Sequence, residues 1–313
     1  MAMHDPAAVS LRGVTRHFGA VQAVNGVDLD IGRGELFGLI GRNGAGKSTL
    51  FRMMLGLMPV TAGEIRIDGV PVDGRDFRAV RRRVGYLPEN VVLYDNLTGR
   101  ETLRFFARLK GVPSTACDAA LERVGLTAAA NRRVNGYSKG MRQRLGFAQA
   151  LLGDPRILFL DEPTTGLDAD AIKGFHEVLR GLRDDGVTIV MTSHILAEMQ
   201  ERVDRLAILV AGKVRAQGSV QALREQVDLP LSVQVTVREG CGEKVAAVLQ
   251  PLALQPLAAQ GTLLQANCRR DAKMAVLDAL AIVRADVLDI QVREPTLEDV
   301  FFGISARGNT AWN

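Results

Sequence analysis

Leu36-Phe37-Gly38-Leu39-Ile40-Gly41-Arg42-Asn43-Gly44-Ala45-Gly46-Lys47-Ser48-Thr49-Leu50 is the stretch on which the fold turns. Leu36 to Ile40 is a short apolar run, the pattern of a strand buried on both faces. Gly41 to Ser48 then matches G-x-x-x-x-G-K-[ST], and Leu50, Met53, Met54 and Leu57 recur beyond it at helical spacing. A strand, a glycine-rich loop and a helix in that order form a phosphate-binding element. Glycines let the backbone N–H groups of the loop turn inward, and the helix N-terminus adds partial positive charge. Lys47 is expected to reach β- and γ-phosphates and the Ser48 hydroxyl to coordinate Mg2+. Gly41, Asn43, Gly44, Ala45, Gly46 and Thr49 complete the expected nucleotide cradle.

Working outward, further short apolar runs read as buried strands at Ile157 to Leu160, Val187 to Thr192 and Leu206 to Val210. Residues 9 to 31 read as strands around a turn, and the stretch from 100 to 150 has helical period. Helical stretches between such strands predict an α/β fold with a parallel sheet and ligands at the strands' carboxyl ends. The run at 157 to 160 ends in Asp161-Glu162. A carboxylate at Asp161 can hold Mg2+, and Glu162, pointing elsewhere, suits a general base or water-orienting group. The same two acids could instead cap a following helix. After about residue 222 the texture changes: alternating Val233, Val235 and Val237, helix-like segments to Leu249 and from Asp271 to Ala281, and strands near Leu263 and Val287. These describe a small α+β domain, with a ferredoxin-like arrangement as one option.

With 313 residues, the chain is long enough for two domains. A composition of 47% hydrophobic and 24% charged residues argues against disorder, and three widely spaced cysteines argue against a disulfide scaffold. No window approaches the ~20 apolar residues of a membrane span, and the first ten residues lack the pattern of a secretory signal. The net charge of +4 is uneven: about +6 before residue 223 and −2 after it. The clusters Arg78, Arg81, Arg82, Arg83 and Arg132, Arg133, Lys139, Arg142, Arg144 admit two readings, nucleic-acid contact or solvated helix faces.

Five ordered motifs together resemble the ATP-binding-cassette (ABC) ATPases: the phosphate loop, Tyr137-Ser138-Lys139-Gly140-Met141, Leu160-Asp161-Glu162-Pro163-Thr164, Gly166-Leu167-Asp168, and Ser193-His194. The resemblance spans residues 9 to about 220. It implies a P-loop NTPase nucleotide-binding domain over 1–222 with a helical subdomain at about 91–150. Residues 223–313 would then form an accessory or dimerisation domain. It further implies a head-to-tail homodimer around two ATP molecules with Mg2+. Ser138 and Gly140 would contact the γ-phosphate held by the other copy, and Asp168 would lie at the dimer seam. His194 would contact the γ-phosphate and help orient the attacking water. Phe18, in Arg16-His17-Phe18-Gly19, matches the aromatic that stacks on adenine, with a core phenylalanine as the alternative.

The chain departs from the family pattern in three places. One is the tail beyond residue 222, which lies outside the core ATPase and whose end, Glu294 to Phe302, resembles the close of the C-terminal extension of many ABC exporter-type ATPase subunits. The usual Leu-Ser-Gly-Gly-Gln signature reads Tyr137-Ser138-Lys139-Gly140-Met141, and Glu89 stands where glutamine is usual, as a candidate Mg2+ or water contact. Longer strings, including Tyr86-Leu87-Pro88-Glu89-Asn90-Val91, Gly99-Arg100-Glu101-Thr102-Leu103 and Phe106-Ala107-Arg108-Leu109-Lys110-Gly111, resemble more narrowly the ATPase subunits of bacterial nitrous-oxide-reductase maturation transporters, which serve copper-site assembly. That resemblance implies a peripheral subunit on the cytoplasmic side of the inner membrane. It would dock membrane subunits through the helical subdomain and the Glu89 loop, with a periplasmic partner above and no nucleic acid. ATPase subunits of drug, lipid or ion exporters share much of the pattern, and a soluble ABC protein acting on nucleic acid or ribosomes is the reading from another class. The three cysteines and four histidines lack metal-ligand spacing, and Met53, Met54 and Met58 read as core rather than copper ligands.

Overall fold

In the computed structural model, described for residues 7–302 apart from positions 194, 201 and 228, the chain divides into two compact units after Ser219. The first unit begins with the hairpin β1 (Val9–Phe18) and β2 (Val21–Ile31), followed by β3 (Leu36–Ile40) and α1 (Lys47–Met54). Next come β4 (Ala62–Ile67), β5 (Val70–Pro71), α2 (Phe77–Arg81) and β6 (Val84–Leu87). Three helices follow, α3 (Gly99–Lys110), α4 (Ala116–Arg123) and α5 (Lys139–Leu151). The unit closes with β7 (Ile157–Leu160), α6 (Ala169–Asp184), β8 (Thr188–Ser193), α7 (Leu196–Gln200), β9 (Arg205–Val210) and β10 (Lys213–Gly218).

Two sheets result. The order β2-β1-β4-β5 is antiparallel; the order β10-β9-β3-β8-β7-β6 is parallel except for its antiparallel edge β10. Every residue of β3, β7 and β8 is buried, as parallel strands covered on both faces require. One apolar cluster joins both sheets through α1: Leu50, Phe51, Met53 and Met54 are fully buried among Val9, Leu11, Phe37 and Phe159. Phe51 meets Phe159 edge to face at 5.5 Å. Met53 and Met54 are therefore core, and Met58 packs half-buried against the same cluster. Leu57, expected on the apolar stripe of α1, is instead past its end and exposed. The N–H groups of Gly56 and Leu57 bond back to the Met53 and Arg52 carbonyls, closing the helix three residues early.

Helix α3 starts at a reciprocal cap, with the Thr98 hydroxyl accepting from Glu101 N–H and the Glu101 carboxylate accepting from Thr98 N–H. Those bonds hold the Glu101 carboxyl below the ordinary range. The basic clusters lie largely at the surface, where Arg142 pairs with Asp95 at 2.6 Å and Arg81 covers the Phe77 ring.

In the second unit, α8 (Val220–Val227) precedes β11 (Leu231–Val237), α9 (Gly242–Leu249), β12 (Ala258–Gln260), β13 (Leu263–Cys268), α10 (Lys273–Ile282) and β14 (Val287–Arg293). From β11 onward this is β-α-β-β-α-β, and the all-antiparallel order β12-β13-β11-β14 is the ferredoxin-like arrangement. Val233, Val235 and Val237 point into a core with Val245, Leu249, Val276 and Leu280 from the two helices.

Candidate active site

The carboxyl ends of β3, β7 and β8 meet at one edge of the parallel sheet, and the chemistry-bearing side chains gather there. Between β3 and α1 the backbone doubles tightly on its neighbours. A Cβ at Gly41 would lie 2.6 Å from the Leu209 carbonyl oxygen. Gly46 has φ of +105°, and a Cβ there would come within 2.4 Å of the Ala23 carbonyl oxygen. Conformation and close approach thus both demand glycine at 46. The first N–H groups of α1, at Lys47, Ser48 and Thr49, have no acceptor inside the helix and carry the positive end of its dipole. Residues 42–49, with Ala23, Glu89, Glu162 and Thr165, line a cavity of about 280 Å3.

Lys47 is buried against this cavity. Its Nζ donates to the Gly41 carbonyl at 2.6 Å and lies 3.6 Å from Glu162 Oε1. A cation held between a loop carbonyl and a carboxylate lines the same cavity as the first residues of α1, whose N–H groups lack helical acceptors, and the combination suits a polyanion.

The two acids after β7 are sent different ways by the backbone. Glu162 has φ of +48°, in the left-handed region, which L side chains seldom adopt. Its carboxylate turns to Lys47, whereas Asp161 Oδ1 accepts a hydrogen bond from Thr192 Oγ1 at 2.7 Å. The same Thr192 oxygen accepts from Glu162 N–H at 2.9 Å. One hydroxyl, fully buried in β8, therefore fixes both acidic residues. The sequence reading passed over Thr192; the available signal was a polar residue near the end of a strand otherwise buried and apolar. Ala23, Arg42 and Thr165 were also missed as lining residues. The helix-cap alternative for Asp161 and Glu162 is not observed, because α6 begins only at Ala169 and its cap is Asp168, whose Oδ1 accepts from Ala171 N–H at 2.8 Å.

Glu89, on the segment after β6, lines the cavity. The nearby Tyr86 phenol has its pKa raised, first by burial and then by the negative charges of Asp161 and Glu89, offset in part by Arg52. Ser48, Asp161 and Glu89 supply only oxygen donors, a set matched to a small hard cation such as Mg2+ and poorly matched to copper or zinc. A Cβ at Gly44 would meet nothing within 4 Å, so the loop leaves open space on the cavity there, room for phosphate oxygens.

Ser138, Gly140 and Asp168 do not line the cavity of their own chain. Ser138 caps α5, its hydroxyl accepting from Met141 N–H at 3.2 Å. A Cβ on Gly140 would rest 3.5 Å from Leu167 Cδ2, so this segment packs beside the residue preceding Asp168. Buried Gln143, one turn along α5, donates to the Pro163 carbonyl at 3.2 Å and ties the helix to the chain just after Glu162. Phe18 is 44% exposed with the Arg16 guanidinium 4.8 Å from its ring centre, so it is a surface aromatic and not a core one. His194 lies outside the described residues.

Residues 24–165 match the family model described as ABC transporter. Over 304 residues the chain is 34% identical to the daunorubicin resistance ATP-binding protein DrrA3 of Streptomyces coeruleorubidus, covering 95% of this chain and 96% of that protein. It is 36% identical over 305 residues to Nod factor export ATP-binding protein I of Rhizobium sp. (strain N33), covering 96% and 97%. Among solved structures, the dimeric post-hydrolysis state of the ATP-binding cassette MJ0796, bound to ADP and Pi, superposes with a TM-score of 0.63 at 28% identity. That match covers 68% of this chain and 98% of the other.

Proposed function

The chain belongs to the ABC transporter family as an ATP-binding, ATP-hydrolysing subunit, and from that premise we propose how its residues divide the work and what it powers. The observation that carries the reading is the convergence of Lys47, Ser48, Glu89 and Glu162 on the glycine-lined cavity, with the buried Thr192 hydroxyl tying Asp161 to the Glu162 backbone. The first N–H groups of α1, at Lys47, Ser48 and Thr49, and the Lys47 ammonium bind the β- and γ-phosphates of ATP. Ser48 and Glu89, which line the cavity, together with Asp161 would hold Mg2+. When bound, that ion supplies Lewis-acid stabilisation of charge on the phosphoryl oxygens. Glu162 orients the attacking water and accepts its proton, in the role that places it next to but apart from the metal-holding Asp161. His194 is assigned to the γ-phosphate. Phe18 offers a stacking face for adenine.

Ser138, Gly140 and Asp168 stand away from their own chain's cavity, and we assign them to the cavity of a second copy in a head-to-tail homodimer. Binding of ATP closes that dimer and hydrolysis reopens it. The motion passes to integral-membrane subunits through the helical segment and the Glu89 loop. Val92, Tyr94, Phe105 and Leu109 support that docking face: they are exposed apolar side chains, and Tyr94 meets Phe105 edge to face at 5.7 Å. No described helix is long and apolar enough to cross a membrane, so the spans are assigned to other chains at the inner membrane. Replacing Glu162 with Gln should leave ATP binding intact, stop turnover and accumulate the dimer, while Lys47→Ala should weaken nucleotide binding. Ordinary turnover by the Glu162→Gln protein would sink this mechanism.

For cargo, the strings around Tyr86, Gly99, Phe106 and Tyr137 support service to maturation of the copper sites of nitrous oxide reductase, with a periplasmic partner. In this reading copper is handled by partners, and the oxygen-only donors Ser48, Asp161 and Glu89 support that division. A second reading, export of a small amphiphile, is favoured by the full-length similarity to a drug-resistance and a Nod-factor-export protein. Deletion of the gene separates them. Loss of copper in nitrous oxide reductase supports the first, and intact loading with lost efflux of an amphiphile supports the second.

A further inference from the structure

The second unit ends its sheet with a strand of unusual character. β14 runs for seven residues, pairs with β11 on one side, and among the described residues has no strand on the other. Exposed strand edges are normally short, charged with one sign, broken by proline or covered. This edge is long, lacks proline, and balances one aspartate against one arginine. Register with β11 assigns its faces: Ile290 and Val292 lie opposite buried Val235 and Val233, on the side of the helices. Asp289, Gln291 and Arg293 lie opposite Thr236, Gln234 and Ser232, on the open side. Leu288 is 58% and Ile290 38% exposed. Together with Leu277, Leu280 and Ala281 they border an open cleft of about 450 Å3 between α10 and β14.

We propose that β14 is a self-pairing edge, on which a second copy of this chain adds its own β14 antiparallel about a two-fold axis at Gln291, making the two four-stranded sheets continuous. Residues directly opposite in an antiparallel pair lie on the same face, so this register sets Asp289 against Arg293 of the second copy, twice. It also sets Ile290 against Val292 of the second copy, twice, and Gln291 against its equivalent. Opposite charges meet on the open face and β-branched side chains on the helix side, both arrangements that stabilise cross-strand pairs. Shifting the axis to Asp289 would oppose two aspartates. Within each strand, Arg293 already donates to Gln291 Oε1 at 3.1 Å and Gln291 to Asp289 Oδ2 at 3.3 Å, so the three polar side chains stand in one row ready to interleave.

This contact is separate from the nucleotide-driven pairing of the first units, and so it is read on the full-length chain without nucleotide. Sedimentation velocity over a concentration series should show a reversible dimer. Asp289→Arg and Arg293→Asp should each weaken it by at least about tenfold, since each turns two attractive pairs into repulsive ones. The double variant should restore association, because the pairs re-form with signs reversed. Opposed Cα atoms in antiparallel strands lie about 4.5–5.5 Å apart, within disulfide range. Gln291→Cys, in a Cys241→Ser background, should therefore oxidise to a covalent dimer, leaving the buried Cys117 and Cys268 unreacted. A nucleotide-free chain that stays monomeric and fails to cross-link at 291 would overturn the proposal. So would a double charge reversal that associates no better than the singles. Thermal unfolding and far-ultraviolet dichroism of Asp289→Arg matching the unsubstituted chain would show that any loss of association is not a loss of folding.

Discussion

Replacing Thr192 with valine tests how much of the site hangs on one hydroxyl. Valine keeps the β-branch and nearly the volume, so packing in β8 is retained. What is lost is the donor to Asp161 Oδ1 at 2.7 Å and the acceptor for Glu162 N–H at 2.9 Å, in a place where Thr192, Asp161 and Glu162 are all buried. A buried polar group stripped of its partner costs about 1–3 kcal/mol, more when it is charged. The two losses share one atom and do not simply add, which gives about 3 kcal/mol for the substitution. For a unit the size of residues 1–219 that corresponds to about 6–12 °C in thermal midpoint. Turnover should fall further than stability alone implies. An Asp161–Glu162 turn no longer pinned to β8 misplaces the carboxylate that must face the water, and a displacement near 1 Å costs roughly 100-fold. The paired measurements are thermal unfolding followed by far-ultraviolet dichroism and steady-state phosphate release. Serine at 192 keeps the hydroxyl and should recover most of both. A Thr192→Val protein with unchanged midpoint and turnover would refute the reasoning, as would a Thr192→Ser protein no better than it.

Other outcomes follow from single observations. Gly46→Ala should abolish nucleotide binding, measured by fluorescent ATP titration, and cost at least about 2 kcal/mol in urea unfolding, because its Cβ collides with the Ala23 carbonyl at a backbone angle alanine resists. Gly140→Ala should leave the thermal midpoint within about 1 °C, since its Cβ meets only ordinary contacts at 3.5 Å and beyond. It should still reduce ATPase activity at least tenfold if Gly140 faces a second copy's nucleotide; full activity would remove Gly140 from that role. His176 is buried in α6 with Nε2 unbonded, and burial, then Arg202 and Arg180, push its pKa down to about 4. The unfolded chain, with histidine near 6.5, binds the proton first, so stability is complete above about pH 6.5 and falls as pH drops toward 4, by about 3 kcal/mol. Urea midpoints measured from pH 4 to 7.5 should show that slope, and His176→Leu should flatten it.

What could be read from the residues alone was what is local. The phosphate loop is contiguous, and its glycines are dictated by backbone geometry within a dozen residues, so Gly41 to Ser48 were legible without any partner. The alternation of Val233, Val235 and Val237 likewise announced a half-buried strand. Contacts between distant segments were not legible. Thr192 meets Asp161 across a separation of 31 residues, and nothing in a β-branched strand residue advertises a hydroxyl aimed at the neighbouring strand's end. The cap function of Asp168 depends on where α6 begins, which periodicity places only within a few residues. The stripe through Leu57 over-ran α1, because two backward hydrogen bonds, not hydrophobicity, end that helix. Strand order in the second unit follows from pairing rather than from pattern, so alternation could suggest the domain class without its edge strand.

The left-handed turn at Glu162 sets two design pressures against each other. A non-glycine residue held there costs about 1–2 kcal/mol, a strain the fold tolerates only because the surrounding network overdetermines it. Selection for robustness alone would drift this position toward glycine or asparagine, and with it would go the carboxylate facing Lys47. Heat tolerance in this chain therefore has to be gathered elsewhere, in loops and surface helices, because this strained backbone position carries the carboxylate its chemistry needs.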